Sequence, residues 1–219
     1  MNRKNEILNR LRQVTNLNRE LTLSPWQDKD LFNHIESISD NLIALFKHQF
    51  EKLSGEIHIV NSEKEAAKKL HDLLENIEPQ QCRTHNFPLI NSLKKLNPEI
   101  ADYVTFIDEY DISSEEFANF EVGVSGADCL IARTGSILLR AISAGGRRLS
   151  VLPPVHIVIA SEKQIVASLD EAFAFLETVP DTWGYATIIS GPSRTSDIEK
   201  QLVLGAHGPK KLIVILLND

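Results

Sequence analysis

Two apolar runs constrain this chain more than anything else in it. His156-Ile157-Val158-Ile159-Ala160 and Leu212-Ile213-Val214-Ile215-Leu216-Leu217 have the length of strands. Unbroken runs of this kind belong to strands covered on both faces, the usual state of parallel sheets. Between them Ile165, Val166, Leu169, Phe173 and Leu176 trace the face of a helix, and Tyr185 to Ile189 reads as a further strand. Strand, helix and strand at these lengths imply a right-handed crossover. The expected fold class is α/β, with a mostly parallel sheet flanked by helices. Such sheets bind ligands outside the carboxyl ends of their strands.

Shorter runs extend the pattern. Cys129-Leu130-Ile131-Ala132, Ile137-Leu138-Leu139 and Leu149-Ser150-Val151-Leu152 read as consecutive strands separated by Thr134-Gly135-Ser136 and Ala144-Gly145-Gly146. Upstream, Ile57, Ile59 and Val60 form a short strand, and Ala67, Leu70, Leu74 and Ile77 the apolar face of a helix closed by Pro79. Pro88, Pro98 and the acidic run Asp108-Glu109-Tyr110-Asp111 break every period between 86 and 120, so short helix and loop are expected there. The first third is helical: Ile7, Leu8, Leu11 and Val14 lie one turn apart, and Leu31, Ile35, Ile38, Leu42, Leu45, Phe46 and Leu53 form a longer stripe. Residues 1–55 are therefore expected to form an N-terminal helical extension and residues 56–219 the α/β domain. The stripe is expected to pack on the chain's own domain, with a homodimer contact as the alternative.

Composition removes several functional classes. Apolar residues at 42% and charged residues at 24% are globular proportions. A formal net charge of -7 offers phosphate backbones no general attraction, so no nucleic-acid partner is expected. The two cysteines, Cys82 and Cys129, form no C-x-x-C pair, which leaves no framework for zinc or an iron–sulfur cluster and points to a reducing, cytoplasmic setting. Neither a signal peptide nor a membrane-spanning run is read. No metal or cofactor is expected on this chain.

Four segments carry candidate chemistry. Ile188-Ile189-Ser190-Gly191-Pro192-Ser193-Arg194-Thr195-Ser196-Asp197-Ile198-Glu199 runs from a strand into a polar cluster, with Ser196 and Glu199 at capping-box spacing. A helix starting there presents free N–H groups, and Ser193, Arg194, Thr195, Ser196 and Asp197 are the candidate anion site. The alternative is that the same residues merely cap a helix while Arg194 makes a surface ion pair. Thr134, Gly135 and Ser136 form a tight turn with two hydroxyls, suited to an oxyanion or to no ligand at all. His156 follows the rigid pair Pro153-Pro154, and His207 sits in Gly205-Ala206-His207-Gly208-Pro209; both are candidate acid–base groups, although a lone histidine is more often structural. Gly123-Val124-Ser125-Gly126-Ala127 lacks the third glycine of a dinucleotide loop and has no clear preceding strand, so no Rossmann site is read.

Taken in order, Gly126-Ala127-Asp128, Thr134-Gly135-Ser136, Leu152-Pro153-Pro154-Val155-His156, Ser190 to Glu199 and Gly205 to Pro209 resemble the motif series of the LUD domain found in the lactate-utilisation protein C family. The match is close over roughly the last hundred residues. The resemblance implies the fold shared by glucosamine-6-phosphate deaminase, ribose-5-phosphate isomerase and CoA transferases. It also implies a part in oxidising L-lactate to pyruvate beside two iron–sulfur proteins, one carrying its own LUD domain. It further implies an acidic residue before the Thr-Gly pair; Arg133 stands there instead, which makes the expected pocket more cationic.

Two functions follow from different classes. One is an accessory, substrate-binding or regulatory subunit of a lactate-oxidising assembly, since a chain without clustered cysteines or a dinucleotide loop has nothing to accept electrons. The other is a stand-alone enzyme or binding protein for a phosphorylated sugar, CoA thioester or nucleotide, using the same anion pocket with His156 or His207 as acid–base group.

Overall fold

The computed structural model describes residues 41–78, 80–107, 119–141, 148–179, 184–195, 203–204 and 208–218. Its centre is a six-stranded sheet in the order β1-β12-β7-β4-β2-β3, parallel throughout. The strands are β1 (Glu56–Val60), β2 (Cys82–Thr84), β3 (Val104–Phe106), β4 (Val122–Ser125), β7 (Val155–Ser161) and β12 (Lys211–Leu217). β7 and β12 are the two runs that dominate the sequence, and they lie side by side, Ile157 facing Ile213 and Ile159 facing Ile215.

Both faces of that pair are covered, as the unbroken apolar runs require. Ile213, Ile215 and Leu217 point with Ile157 and Ile159 into one core, beneath α2 (Glu63–Leu74) and α3 (Pro88–Leu96). Leu212, Val214 and Leu216 point with Val158 and Ala160 into the other. Strand periodicity of two divides each run between the two cores. Burying each such side chain is worth about 1.5–3 kcal/mol, which makes β7 and β12 the main anchor of the fold.

The second core is closed by α1 (Leu42–Lys52) and by a smaller sheet of β8 (Ile165–Val166), β5 (Cys129–Ile131), β6 (Ser136–Arg140) and β9 (Ala186–Ile189), in that order. Phe46 and Phe50 stack in α1 with ring centroids 5.3 Å apart, both fully buried against Leu130 and Ile137. The apolar stripe at Leu42, Leu45 and Phe46 thus packs on the chain's own domain. Leu31, Ile35 and Ile38, with the stripe at Ile7 to Val14, lie outside the described residues.

Three sequence expectations change, and one strand is new. β9 does not return to the parallel sheet by the expected crossover; it pairs antiparallel with β6, and β6 pairs antiparallel with its hairpin neighbour β5. The turn between β5 and β6 is too short for a crossover, so only antiparallel pairing is open to them. Leu149 to Leu152, expected as a strand, is largely a helical turn, α5 (Arg148–Val151), in which the Leu152 N–H donates to the Arg148 carbonyl at 2.9 Å. Pro153 and Pro154, without N–H donors, follow at once, and a four-residue apolar run does not by itself distinguish strand from helix.

Ile165 and Val166 are not helical either. They form β8, paired parallel with Leu130 and Ile131, after a 3-10 turn at Glu162–Gln164. The helix, α6, begins only at Leu169, where Ser168 Oγ accepts the Glu171 N–H, and Phe173 on it is half exposed. Finally, Val122–Ser125 is itself strand β4, buried at every position, a strand not read from the sequence. Among the described residues no helix is long and apolar enough to cross a membrane.

Candidate functional site

A cavity of about 460 Å³ opens at the carboxyl edge of the parallel sheet. Ser125 at the end of β4, Ser161 at the end of β7, Leu217 at the end of β12 and His85 just after β2 all line it. The opposite side comes from the small sheet, through Leu139, Arg140, Ala141, Tyr185 and Thr187. The strands of a parallel sheet all end on one side, so their last residues converge there whatever their distance in sequence.

Two polar arrangements fix this cavity. Asp128, entering β5, holds Arg140 of β6: Asp128 Oδ1 accepts from Arg140 Nε at 2.9 Å and Nη2 at 2.8 Å, while Oδ2 accepts the Arg140 backbone N–H at 2.6 Å. Both side chains are 13% exposed, so the pair is shielded enough to be rigid. Arg140 also lies 5.5 Å over the ring of Phe175 in α6. The second arrangement joins Ser125 to His156, Ser125 Oγ lying 2.9 Å from His156 Nε2 and also donating to the Gly126 carbonyl at 2.9 Å. With the serine proton committed to that carbonyl, His156 Nε2 carries its proton and donates to Ser125 Oγ.

His156 is completely buried, and its Nδ1 has no hydrogen-bond partner among the described residues. Burial, with the charge of His85 as a smaller contribution, pushes its pKa down from the ordinary 6.5 to about 3. A ring that stays neutral at physiological pH is a poor base but a fixed donor. His156 therefore holds the Ser125 hydroxyl at the cavity wall by a hydrogen bond from a neutral ring.

The turn Thr134-Gly135-Ser136 lies apart from the cavity lining. Ser136 Oγ and Ser190 Oγ are 2.8 Å apart, so two of the segments singled out from sequence do meet. What they meet against is α1. Gly135 has φ +60, and a Cβ there would lie 2.5 Å from the Phe50 backbone N; Gly191 has φ +80, and a Cβ there would lie 2.5 Å from the Leu53 carbonyl O. Both turns therefore use glycine to bring backbone against backbone. Thr134 Oγ1 is buried there without a partner.

The remaining candidates divide. The Ser193 N–H donates to the Pro209 carbonyl at 2.9 Å, tying the segment after β9 to the start of β12. Arg194 and Thr195 form β10, paired antiparallel with Val203 and Leu204 (β11). Ser196, Asp197 and His207 lie outside the described residues, and so does the helix expected from Ser196 and Glu199. His156 contacts Ser125 at the cavity, so the structure gives it a neighbour other than the Thr134 turn.

Sequence reasoning passed over Ser125, Asp128 and Arg140 as site residues. The triplet Gly126-Ala127-Asp128 was the available signal for Asp128, and the carboxyl-edge rule for Ser125. Nothing in local spacing marks Arg140, whose partner is twelve residues away across a hairpin.

A parallel sheet covered on both faces, with a cavity at its carboxyl edge, defines an α/β domain. The LUD domain family model matches residues 43–217, and the chain belongs to that family. It is similar to an uncharacterized protein of Neisseria meningitidis, 37% identical over 107 residues, covering 48% of this chain and 45% of that one. It is also similar to two proteins called lactate utilization protein C. That of Bacillus velezensis is 36% identical over 116 residues, 50% of this chain and 46% of the relative. That of Bacillus subtilis is 29% identical over 216 residues, 89% of this chain and 86% of the relative. The chain thus spans less than half of the first two and most of the third. A solved DUF162 family protein from Deinococcus radiodurans shares the fold, with a TM-score of 0.58 and 23% identity over 80% of this chain and 96% of that one.

Proposed function

We propose that this chain is an accessory, ligand-binding subunit of a lactate-utilisation system, acting where L-lactate is oxidised to pyruvate with iron–sulfur partner proteins. The name lactate utilization protein C, carried by two of its relatives, supports the lactate-utilisation part of this reading. The observation that carries a binding role is the cavity at the carboxyl edge, with the Asp128–Arg140 pair and the His156-held Ser125 on its wall. Its ligand on this reading is a small organic anion.

Oxidising lactate releases two electrons and two protons, which another group must take up. Cys82 and Cys129 are suited to packing and not to that task. They belong to different cores, and burial pushes both thiols up, Cys129 to about 11 with Asp128 adding to the effect. A cysteine ligates a cluster as its thiolate, so on this reading the cysteine ligands of the iron–sulfur clusters belong to the partner chains.

Deleting the gene in its host and growing the strain on L-lactate as sole carbon source tests this directly. Growth should fail and return with the wild-type gene, and the tagged chain should co-purify with proteins that contain iron and show cluster absorbance. Undiminished growth on lactate contradicts the proposal.

A further inference from the structure

The cavity is large, apolar and electrically balanced, and these three properties narrow its ligand. At about 460 Å³ it falls within the range of roughly 300–1,000 Å³ that encloses drug-sized molecules. A three-carbon acid fills a small part of that space. Its walls carry Phe87, Pro88 and Leu89 at the start of α3, Leu139 of β6, Leu149 of α5 and Leu217 of β12. An occupant that leaves such walls wet gives up the apolar contact that the cavity is built to provide.

The fixed charges cancel. Among the described lining residues, Arg140 and Lys163 are cationic and Asp128 and Glu63 anionic. Arg140 already gives Nε and Nη2 to Asp128, which leaves Nη1 as the face of the guanidinium outside that pair. The start of α2, where folds of this class often hold phosphate, is closed by the chain's own acids. Ser62 Oγ accepts the Glu65 N–H at 3.2 Å, Glu65 Oε2 accepts the Asn61 N–H at 2.9 Å, and Glu63 lies in the same first turn. A polyphosphate brought to this edge meets carboxylates where it needs donors.

We infer that the cavity binds an apolar-bodied monocarboxylate larger than lactate, with its single charge at Arg140 and its body against the leucine and phenylalanine walls. The inference rests on reading the cavity as the ligand site and changes the occupant from the three-carbon acid to a bulkier one. Ser125 Oγ, its proton given to the Gly126 carbonyl and one lone pair to His156, retains only an acceptor site, which suits a hydroxyl on the ligand and not its carboxylate.

Titration calorimetry on the purified full chain tests it with four probes: L-lactate, L-3-phenyllactate, octanoate and pyrophosphate. Phenyllactate and octanoate should bind at least ten-fold more tightly than lactate, and pyrophosphate should give no heat. Arg140→Gln should weaken both acids at least ten-fold while leaving the uncharged methyl ester of phenyllactate unaffected. Because that change strips Asp128 of its partner, Ala141→Trp serves as a second variant: it fills the cavity from a lining position and should abolish binding of acid and ester alike in a chain with wild-type circular dichroism. Lactate binding as tightly as the bulky acids, pyrophosphate binding more tightly than they do, or no heat from either acid overturns the inference. Failure here with lactate growth still dependent on the gene leaves the pathway reading standing; acid binding with no growth phenotype does the reverse.

Discussion

The Thr134–Ser136 and Ser190–Gly191 turns and the cavity at the sheet's carboxyl edge have opposite construction. The turns are dense in glycine and hydroxyls, and those residues are spent on packing: Gly135 and Gly191 bring their backbones against Phe50 and Leu53 of the α1 region, while Ser136 bonds Ser190. The cavity has no such local density. It takes short runs, of up to four consecutive residues, from many parts of the chain, and its polar contacts, Asp128 with Arg140 and Ser125 with His156, join positions 12 and 31 residues apart. A run of small polar residues between strands is thus as consistent with close backbone approach as with anion binding. What separates the two is whether a neighbouring backbone already fills the space a ligand would need.

If the turns are structural, damage to them should cost stability first. Phe50→Ala empties a fully buried ring site in α1, the helix whose backbone Gly135 approaches, and should cost about 3–5 kcal/mol, read as a lower urea midpoint. Gly135→Ala puts a Cβ 2.5 Å from the Phe50 backbone N at a positive φ and should cost about 2–3 kcal/mol. Ligand affinity of the remaining folded protein should be unchanged in both. A Gly135→Ala protein of normal stability that has lost its ligand would return the site to the turn.

The cavity side has its own signature in pH. The His156 pKa is depressed to about 3 in the folded chain, against an ordinary 6.5. Between those values the unfolded chain binds a proton that the folded chain refuses. The stability held by the neutral ring is complete above pH 6.5 and is lost as pH falls toward 3, at up to roughly 1.4 kcal/mol per pH unit. Replacing it by the neutral isostere, His156→Gln, should flatten the urea midpoint between pH 6 and pH 4 relative to wild type. An equal slope in both proteins would mean that the ring is accessible to protons and does not position Ser125 by staying neutral.

The two central strands were legible in sequence because β7 and β12 are covered on both faces and so read as unbroken apolar runs. From them the parallel sheet and the carboxyl-edge location of a site both follow. The Leu149 run was not legible, since so short a run, Leu149-Ser150-Val151-Leu152 ahead of two prolines, fits a helical turn as well as a strand. The start of α6 carried a signal: Ser168 stands three residues ahead of Glu171, whose carboxylate accepts the Ala167 N–H at 2.8 Å, and that spacing marks a helix start after Ile165 and Val166. The cavity residues were the least legible. His156 was visible as a histidine behind two prolines, but its partner Ser125 sits in a segment read only for its failure to match a dinucleotide loop. Arg140 had no local signal at all, because it is defined by register across the β5–β6 pair and not by spacing.

The central claim is that the cavity, and not the glycine-rich turns, carries the function. Complementing the gene deletion on L-lactate with Ala141→Trp and, separately, with Ser190→Ala decides it most directly. Both chains should fold and accumulate like wild type, with Ser190→Ala restoring growth and Ala141→Trp failing to do so. Growth restored by Ala141→Trp but not by Ser190→Ala would contradict the account.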